Sequence, residues 1–310
     1  MKRYPYVAPE IAQALADEAP VVALESALVT HGFAPPANLE IARQMEAAVL
    51  EEGALPATVA VLEGEPRIGL SDQELERLAS LAALASDRTA RKVSLRDLPL
   101  VLAQGASGGT TVAATIHLAH RAGIRVFATG GIGGVHRGHP EDVSADLVAL
   151  ASIPIVVVCA GAKAILDLPR TLEHLETHGV PVIGYGTEEF PAFYSRHSGL
   201  SVDAYVETPQ EVARMARARA ALGLSAALLV CVPVPRPDEL LTGEAETAIA
   251  RAVEEAESAG VSGKDLTPFL LARLVELTGG QARRANESLL LNNARVAARI
   301  ARALKEVTDA

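Results

Sequence analysis

The chain contains no tryptophan, and aromatic residues make up only 3% of its 310 residues. Its core must therefore be built from aliphatic side chains. The only two cysteines, Cys159 and Cys231, each lie within an apolar run. Two such cysteines form neither a disulfide framework nor a zinc site, and they are typical of buried residues in a reduced, cytoplasmic protein.

Long hydrophobic runs and an excess of positive charge are also missing. The longest apolar stretch, Ile153–Ala162, is too short to span a bilayer. The first residues, MKRYPYVAPEIA, lack the apolar centre of a secretion signal. We therefore expect neither secretion nor contact with a membrane. The net charge of −10 argues against a general nucleic-acid binder, although it is compatible with a local basic pocket for a phosphorylated small molecule.

Short apolar runs alternate with segments of helical periodicity, and 49% of the residues are hydrophobic. Most of the runs are almost wholly apolar, as expected for strands buried on both faces. The pattern predicts a three-layer α/β/α fold with a mostly parallel central sheet and a helical C-terminal segment, in a single domain over residues 1–310. The predicted strands are Val21–Leu24, Thr58–Leu62, Arg125–Thr129, Ile153–Cys159, Val180–Tyr185, Ala204–Glu207 and Ala226–Val232.

Several helix ends carry local signals. Asn38 is predicted to cap a helix that Gly53 ends. Ser71 and Glu74 have the spacing of a capping box. The last helix is predicted over residues 285–305.

The most reactive side chains directly follow predicted strands. Glu25 follows the first strand, a glycine-rich stretch over Thr129–Gly138 follows another, and Lys163 comes after IVVVCAGA. Ligands of open α/β sheets bind beyond the carboxyl ends of the strands. These three segments are therefore the predicted functional site.

Glu25 and Lys163 each allow two interpretations. A carboxyl group at the end of a buried strand is partly desolvated, which suits it to proton donation. The alternative for Glu25 is a structural role, capping a helix or pairing with a lysine. A lysine in an apolar setting can act as a nucleophile toward a carbonyl carbon. The alternative for Lys163 is a phosphate-binding or surface lysine at the start of a helix.

The remaining polar clusters are weaker signals. Asp142, Ser144 and Asp146 alternate along the chain, as ligands of a hard cation do, but helix capping is the commoner role of such residues. The glycine-rich stretch Thr129–Gly138 could cradle a phosphate or form a plain loop. The sequence GGTT before Val112 resembles a helix N-terminus open to an anion, although simple capping is favoured there.

The motifs together resemble the pseudouridine-5′-phosphate glycosidases, the family that includes the A-type proteins of indigoidine clusters. The similar segments lie in the family's order over about 290 of the 310 residues, which is far more specific than any single motif. They include ALESALVTHGF, KVSLRDLP, GGTTVAATIHLAHRAGIRVFATGGIGGVHRG, DVSADL, VVVCAGAKAILDLPRTLEHLETHGVPVIGYGTEEFPAFYSRHSG and GKDLTPFLLARLVELTGG.

The resemblance implies reversible hydrolysis of the C–C glycosidic bond of pseudouridine 5′-phosphate, which gives uracil and ribose 5-phosphate. It implies that Glu25 is the proton donor, Lys163 the nucleophile and Asp142 the ligand of one Mn²⁺ ion. It also implies a homotrimer. The substrate-binding positions that it implies are Lys92, Val112, His136, Ser144, Ala145, Asp146 and Asn286.

The residue types suit this reaction. A base that leaves through carbon must be protonated at carbon, so the usual scheme of two carboxylates cannot serve. An amine that adds to C1′ of a ring-opened ribose would form an iminium, which eases rupture of the adjacent bond. Two alternatives stay open: a related enzyme acting on another C-glycoside, and a non-catalytic module that binds a phosphometabolite. The second would need neither Glu25 nor Lys163.

One motif departs from the family pattern. The sequence TGGQARRANES places Ala282 and Glu287 where the family has serine and isoleucine. Arg283 and Arg284 add positive charge there.

Overall fold

The computed structural model describes residues 5–83, 90–261 and 266–306. Within these residues the strands are β1 (Tyr6–Val7), β2 (Val21–Leu24), β3 (Leu55–Leu62), β4 (Glu65–Ile68), β5 (Arg91–Val93), β6 (Gly108–Thr110), β7 (Val126–Ala128), β8 (Val135–His136), β9 (His139–Val143), β10 (Val156–Cys159), β11 (Leu166–Asp167), β12 (Val182–Tyr185), β13 (Ala204–Val206) and β14 (Leu228–Cys231). The helices are α1 (Pro9–Ala16), α2 (Ala27–His31), α3 (Ala37–Glu51), α4 (Asp72–Ala83), α5 (Leu98–Ala103), α6 (Val112–Arg121), α7 (Ala145–Ser152), α8 (Leu168–Thr177), α9 (Pro209–Ala221), α10 (Thr242–Ser258), α11 (Leu266–Leu277) and α12 (Gln281–Glu306).

All seven predicted strands are present, and they belong to one large sheet. The main path of this sheet is β1-β4-β3-β2-β7-β10-β14-β12-β13, and β6 joins β5 to β3. The pairs from β3 through β2, β7, β10, β14 and β12 to β13 are all parallel. The pairs β3–β4 and β3–β6 are antiparallel. A separate antiparallel sheet has the order β11-β8-β9.

Helices cover the sheet as the apolar strands require. Helix α12 packs on β2, β7 and β10 and lies beside α3 and α9, while α6 contacts β2 and β3 and lies beside α7. Each central strand is buried along its whole length. The three-layer α/β/α prediction is therefore confirmed. That one domain spans the entire chain stays a prediction.

The C-terminal helix α12 begins earlier than predicted, at Gln281 instead of about residue 285. Its extra turn packs against the core through Ala282, which is fully buried. The added arginines lie on the outside of this turn. Arg283 pairs with Glu287, and Arg284 pairs with Asp238.

The prediction that Asn38 caps α3 is wrong. The helix begins at Ala37, and Asn38 is buried within its first turn. The Asn38 side chain donates hydrogen bonds to the carbonyl oxygens of Val29 (2.9 Å) and Ala79 (3.2 Å). Asn38 therefore joins α3 to α2 and α4.

The other helix-end signals are confirmed. Gly53 follows α3 with a φ of +78°, in the left-handed region that glycine adopts without strain. The Ser71 amide donates to Glu74 (2.9 Å), and the Glu74 amide donates back to the Ser71 hydroxyl (3.3 Å). In residues 5–83, 90–261 and 266–306, no helix combines the length and apolar character of a membrane span.

Candidate active site

The predicted site segments meet at one edge of the sheet. Strands β2, β7 and β10 are parallel neighbours, so their carboxyl ends lie side by side. Glu25 directly follows β2, and Thr129 directly follows β7. Lys163 follows β10 after a short loop. The ladder continues past the strands, because the Thr129 amide donates to the carbonyl oxygen of Val158 (3.0 Å). The polar loops are thus joined to a rigid sheet.

A cavity of about 700 Å³ opens at this edge. Asn286 lies on a smaller adjoining cavity of about 70 Å³, which Glu25, Lys92 and Lys163 also line. The structure therefore brings all the predicted site residues together, while their individual roles stay predictions. The predicted residues that line the larger cavity are Glu25, Lys92, Val112, His136, Asp142, Ser144, Ala145, Asp146 and Lys163.

Glu25 is a buried carboxyl group, with 7% of its surface exposed. The hydroxyl of Thr129 donates a hydrogen bond to its Oε1 atom. Burial raises the pKa of Glu25 above its ordinary value, and the nearby Lys163 ammonium and the Thr129 hydroxyl act in the opposite direction. A carboxyl group with a raised pKa can hold a proton closer to neutral pH. This state is the one that a proton donor requires.

Lys163 is half-buried at the rim of the same cavity. Its backbone amide donates to the carbonyl oxygen of Ile132 (3.1 Å), which ties the Lys163 loop to the loop after β7. The interpretation of Lys163 as a residue at a helix start is wrong, because α8 begins only at Leu168. Burial, and next the charge of Lys163, lower the pKa of Lys92. The cavity thus contains two amines whose positive charges oppose each other.

Asp146 connects two parts of the cavity wall. It is 6% exposed, and its Oδ1 accepts a hydrogen bond from the Ala113 amide (2.9 Å) at the start of α6. Its Oδ2 accepts one from the Gly133 amide (2.8 Å). A Cβ atom at Gly133 would collide with the side chains of Asp146 and Ser144. Gly133 is therefore needed for the close approach of this carboxylate.

Ser144 caps a helix, which was the alternative interpretation of its cluster in the sequence. Its hydroxyl accepts a hydrogen bond from the Asp146 amide (3.2 Å) and caps α7. It also lines the cavity, so capping does not remove it from the site.

The sequence GGTT before α6 does not simply cap the helix through a side chain, as the favoured interpretation predicted. Gly108–Thr110 form β6, and Thr111 makes no side-chain capping bond. The buried Oγ1 atom of Thr111 has no hydrogen-bond partner among the described residues. Because Thr111 and Val112 line the cavity, the N-terminus of α6 faces a space where an anion would be favoured.

His136 lies half-buried on β8. Burial lowers the pKa of its imidazole, and the charge of Asp142 opposes that shift. A neutral imidazole can accept a hydrogen bond as well as donate one.

The acidic residues do not form a closed metal site. Asp142 is exposed on β9. The described ranges contain no group of three or more His, Cys, Asp or Glu side chains that could hold an ion. This donor set does not fit a metal enclosed by protein ligands. It fits a hard cation that keeps most of its water and is held by one carboxylate, as Mg²⁺-like ions commonly are.

Sequence reasoning missed several cavity residues, chiefly Arg91, Ser94 and Arg96. All three lie close to Lys92 in RKVSLR, and the match of that segment to the family pattern was the only signal for them. The pairing of β5 with β6 brings that segment to the cavity, and the sequence pattern did not predict β5. His31 lines both cavities.

The fold and the cavity together describe an α/β/α protein with a polar small-molecule site at the carboxyl edge of its sheet. The family model described as indigoidine synthase A like protein matches residues 10–303. The chain therefore belongs to this family, and the resemblance stated from its motifs is confirmed.

Curated relatives cover nearly the whole chain. A protein of Methylobacterium nodulans is 54% identical over 96% of this chain and 87% of its own length. One of Caldanaerobacter subterraneus is 51% identical over 97% of both chains. Both relatives are named pseudouridine-5′-phosphate glycosidase. The prediction that the chain is an enzyme of this family is confirmed.

Solved structures share the fold. The prealnumycin C-glycosynthase AlnA, solved in complex with ribulose 5-phosphate, superposes with a TM-score of 0.89 at 39% identity, over 99% of this chain and 98% of its own. An indigoidine synthase A-like protein of Thermotoga maritima superposes with a TM-score of 0.86 at 36% identity, over 97% of both chains.

Proposed function

We propose that the chain catalyses the reversible cleavage of pseudouridine 5′-phosphate to uracil and ribose 5-phosphate. The observation that carries the proposal is the presence of Glu25 and Lys163 on one cavity, beyond the ends of β2 and β10, the two strands that flank β7. The names of relatives at about half identity support the same reaction. A module that only binds a phosphate would need neither a buried acid nor an amine beside it.

The Lys163 amine is the proposed nucleophile. In cleavage the neutral amine bonds to C1′ as the bond from C1′ to the ring oxygen opens, and that oxygen leaves as a hydroxyl group. The nitrogen lone pair then forms an iminium at C1′ while the bond to uracil breaks, with its electron pair going to the uracil carbon. In synthesis the same iminium accepts the electron pair of the uracil carbon. Glu25 supplies the proton that the departing uracil carbon needs. Water then releases ribose 5-phosphate and restores the free amine.

The phosphate group has a site of suitable charge. The N-terminus of α6, with the backbone amide of Val112 and the hydroxyl of Thr111, faces the cavity from one side. Lys92 and Ser144 line it as well. Helix N-termini and lysines both favour anions. We assign these residues to the sugar phosphate, together with Ala145 and Asp146 in the first turn of α7.

The adjoining cavity suits the base. Beside Glu25, Lys92 and Lys163, it is lined by apolar residues and by Asn286, whose amide can both donate and accept hydrogen bonds. His136 lines the larger cavity and is assigned to the substrate. The resemblance to the family further supports a homotrimer, and the two free, buried cysteines support a place in the reducing cytoplasm.

Asp142 would hold a divalent cation, Mn²⁺ in this proposal, with water and substrate oxygens as its other ligands. Such an ion would supply positive charge near the substrate. The cation therefore complements the basic side chains in binding an anionic sugar phosphate.

The test is direct. Purified protein with Mn²⁺ and pseudouridine 5′-phosphate should release uracil, and uracil with ribose 5-phosphate should regenerate the nucleotide. The Lys163→Ala variant, prepared in the same way, is the matched control. Absence of both reactions in the folded wild-type protein would contradict the proposal.

A second candidate function rests on the structural neighbour. Because AlnA is a C-glycosynthase, the same fold could join a pentose phosphate to another carbon acceptor. A chain of this kind would form an adduct with the sugar phosphate but would not release uracil from pseudouridine 5′-phosphate. Supplying both substrates in parallel distinguishes the two functions.

A further inference from the structure

Asn293 is a polar side chain at the centre of the contact between α12 and the sheet. It is fully buried, with 0% of its surface exposed. Its Nδ2 atom donates to the carbonyl oxygen of Thr129 (2.8 Å) and, at longer range, to that of Gly130 (3.4 Å). The amide therefore bonds the segment that follows β7 and lines the site.

Packing alone does not explain why an amide side chain occupies this buried position. Its Oδ1 atom is buried without a hydrogen-bond partner in the described part of the chain. Asparagine also forms helices less readily than leucine. An apolar side chain here would remove the unpaired acceptor and improve the helix. Such a side chain would lose the hydrogen bond to the Thr129 carbonyl oxygen.

Thr129 joins this contact to the proposed acid. Its side chain is fully buried, and its hydroxyl donates to Glu25 Oε1. The carbonyl group of Thr129 thus accepts a hydrogen bond from α12, and its hydroxyl group donates one to Glu25. Hydrogen bonds connect Asn293 to Glu25 through a single intervening residue.

We propose that Asn293 is a positioning residue, which holds Thr129 so that its hydroxyl stays bonded to the Glu25 carboxyl group in the proton-transfer step. The inference rests on the proposed function, because it takes Glu25 to be the proton donor. It extends the active site to the C-terminal helix, beyond the residues that line the cavity.

The groups that face Glu25 determine whether its pKa should rise or fall when the hydrogen bond from Thr129 is lost. Lys163 and Lys92 lower its pKa, and Asp146 raises it. The Thr129 hydroxyl also lowers the pKa of Glu25, because it stabilises the carboxylate. Loss of this bond should therefore raise the pKa. Since the donor must be protonated, the alkaline limb of the kcat profile should move to higher pH.

The experiment compares four variants: Asn293→Leu, Thr129→Val, Thr129→Ser and Asn292→Leu. Asn292 is the matched control, because it is the neighbouring, half-buried asparagine of the same helix. We expect Asn293→Leu and Thr129→Val to lower kcat by about tenfold or more, as a small displacement of a catalytic group can, with KM within about threefold. Both variants should move the alkaline limb of the kcat profile to higher pH.

The conservative and double variants sharpen the test. Thr129→Ser keeps the hydroxyl and should restore the wild-type pH profile. The double variant of Asn293→Leu and Thr129→Val should shift the limb no further than Thr129→Val alone, since both act through one hydrogen bond. Asn292→Leu should leave kcat and its pH profile unchanged.

Two further measurements separate this inference from the proposed function. Borohydride trapping of ribose 5-phosphate on Lys163 should persist in Asn293→Leu, because the amine is untouched. If Asn293→Leu lowers the melting temperature but keeps the wild-type limb, Asn293 is only structural and the inference is wrong. If the wild type shows neither trapping nor uracil release, the proposed function itself fails.

Discussion

Arg137, which directly follows β8, forms a bidentate ion pair with Glu246 on α10. Arg137 Nη1 lies 2.6 Å from Glu246 Oε2, and Nη2 lies 2.9 Å from Oε1. The same guanidinium donates to the carbonyl oxygens of Leu166 (3.0 Å) and Ala164 (3.1 Å). The Ala164 carbonyl group directly follows Lys163, and the Leu166 carbonyl group belongs to β11, at the end of the same loop. The ion pair therefore holds the loop of the proposed nucleophile against the C-terminal helices.

Removal of this clamp should impair turnover more than binding. Arg137→Met keeps the length of the side chain but loses every one of these bonds, so the Lys163 amine should be less well placed. We expect kcat to fall by about tenfold, with a smaller change in KM. Steady-state kinetics on the folded variant check this result.

Arg170 supplies the control for the clamp. It is a surface arginine that pairs with Asp167 over 3.3 Å, and exposed pairs contribute little. Arg170→Met should therefore leave kcat close to the wild-type value. Equal kinetics of Arg137→Met and Arg170→Met would show that the clamp does not position Lys163.

Lys163→Ala should abolish turnover while the protein stays folded, because Lys163 is half-buried and does not belong to the apolar core. Lys163→Arg is the more informative variant. It keeps the positive charge, but a guanidinium does not lose its proton and cannot add to C1′. Both variants should be inactive, and neither should be labelled by borohydride with ribose 5-phosphate. Substantial activity of Lys163→Arg would mean that the lysine acts only by charge.

The position of the site could be predicted from the sequence because it depends on strand ends. β2 and β10 are almost wholly apolar, so the polar residues after them had to lie at the sheet edge. The two hydrogen bonds that Asp146 accepts, from the Gly133 and Ala113 amides, could not be predicted in this way. The donors come from two other segments, and only the folded chain brings them within hydrogen-bond distance. The same holds for Asn38, whose partners lie in two other helices.

Removal of the cation should reveal how much of the substrate affinity depends on Asp142. EDTA should abolish activity, and Mn²⁺ should restore it better than Ca²⁺, which prefers more ligands and longer bonds. Asp142→Asn should raise the Mn²⁺ concentration needed for half-maximal activity by about tenfold or more. Titration of activity against Mn²⁺ measures the change.

Glu141 is the control for this metal prediction, because it is the neighbouring exposed carboxylate on β9. Glu141→Gln removes the same charge from the same strand and should leave the Mn²⁺ requirement within about twofold, since exposed charges interact weakly at a distance. Full activity of the wild type after exhaustive chelation would show that Asp142 is not a metal ligand.

Glu25→Gln tests acid catalysis against simple binding. Glutamine keeps the size of the side chain and can still bond to the Thr129 hydroxyl, but it cannot release a proton. We expect a loss of at least about a hundredfold in kcat, the usual contribution of a general acid, with substrate binding within about tenfold. Burial raises the pKa of Glu25, so in the wild type the protonated donor persists above the ordinary range of a carboxyl group. Cleavage should then decline as the pH rises through that raised value, and the residual activity of Glu25→Gln should lack this limb. A raised KM with kcat and the alkaline limb preserved would assign Glu25 to substrate positioning and leave the proton to another group, with Asp146 and His136 the next residues to substitute.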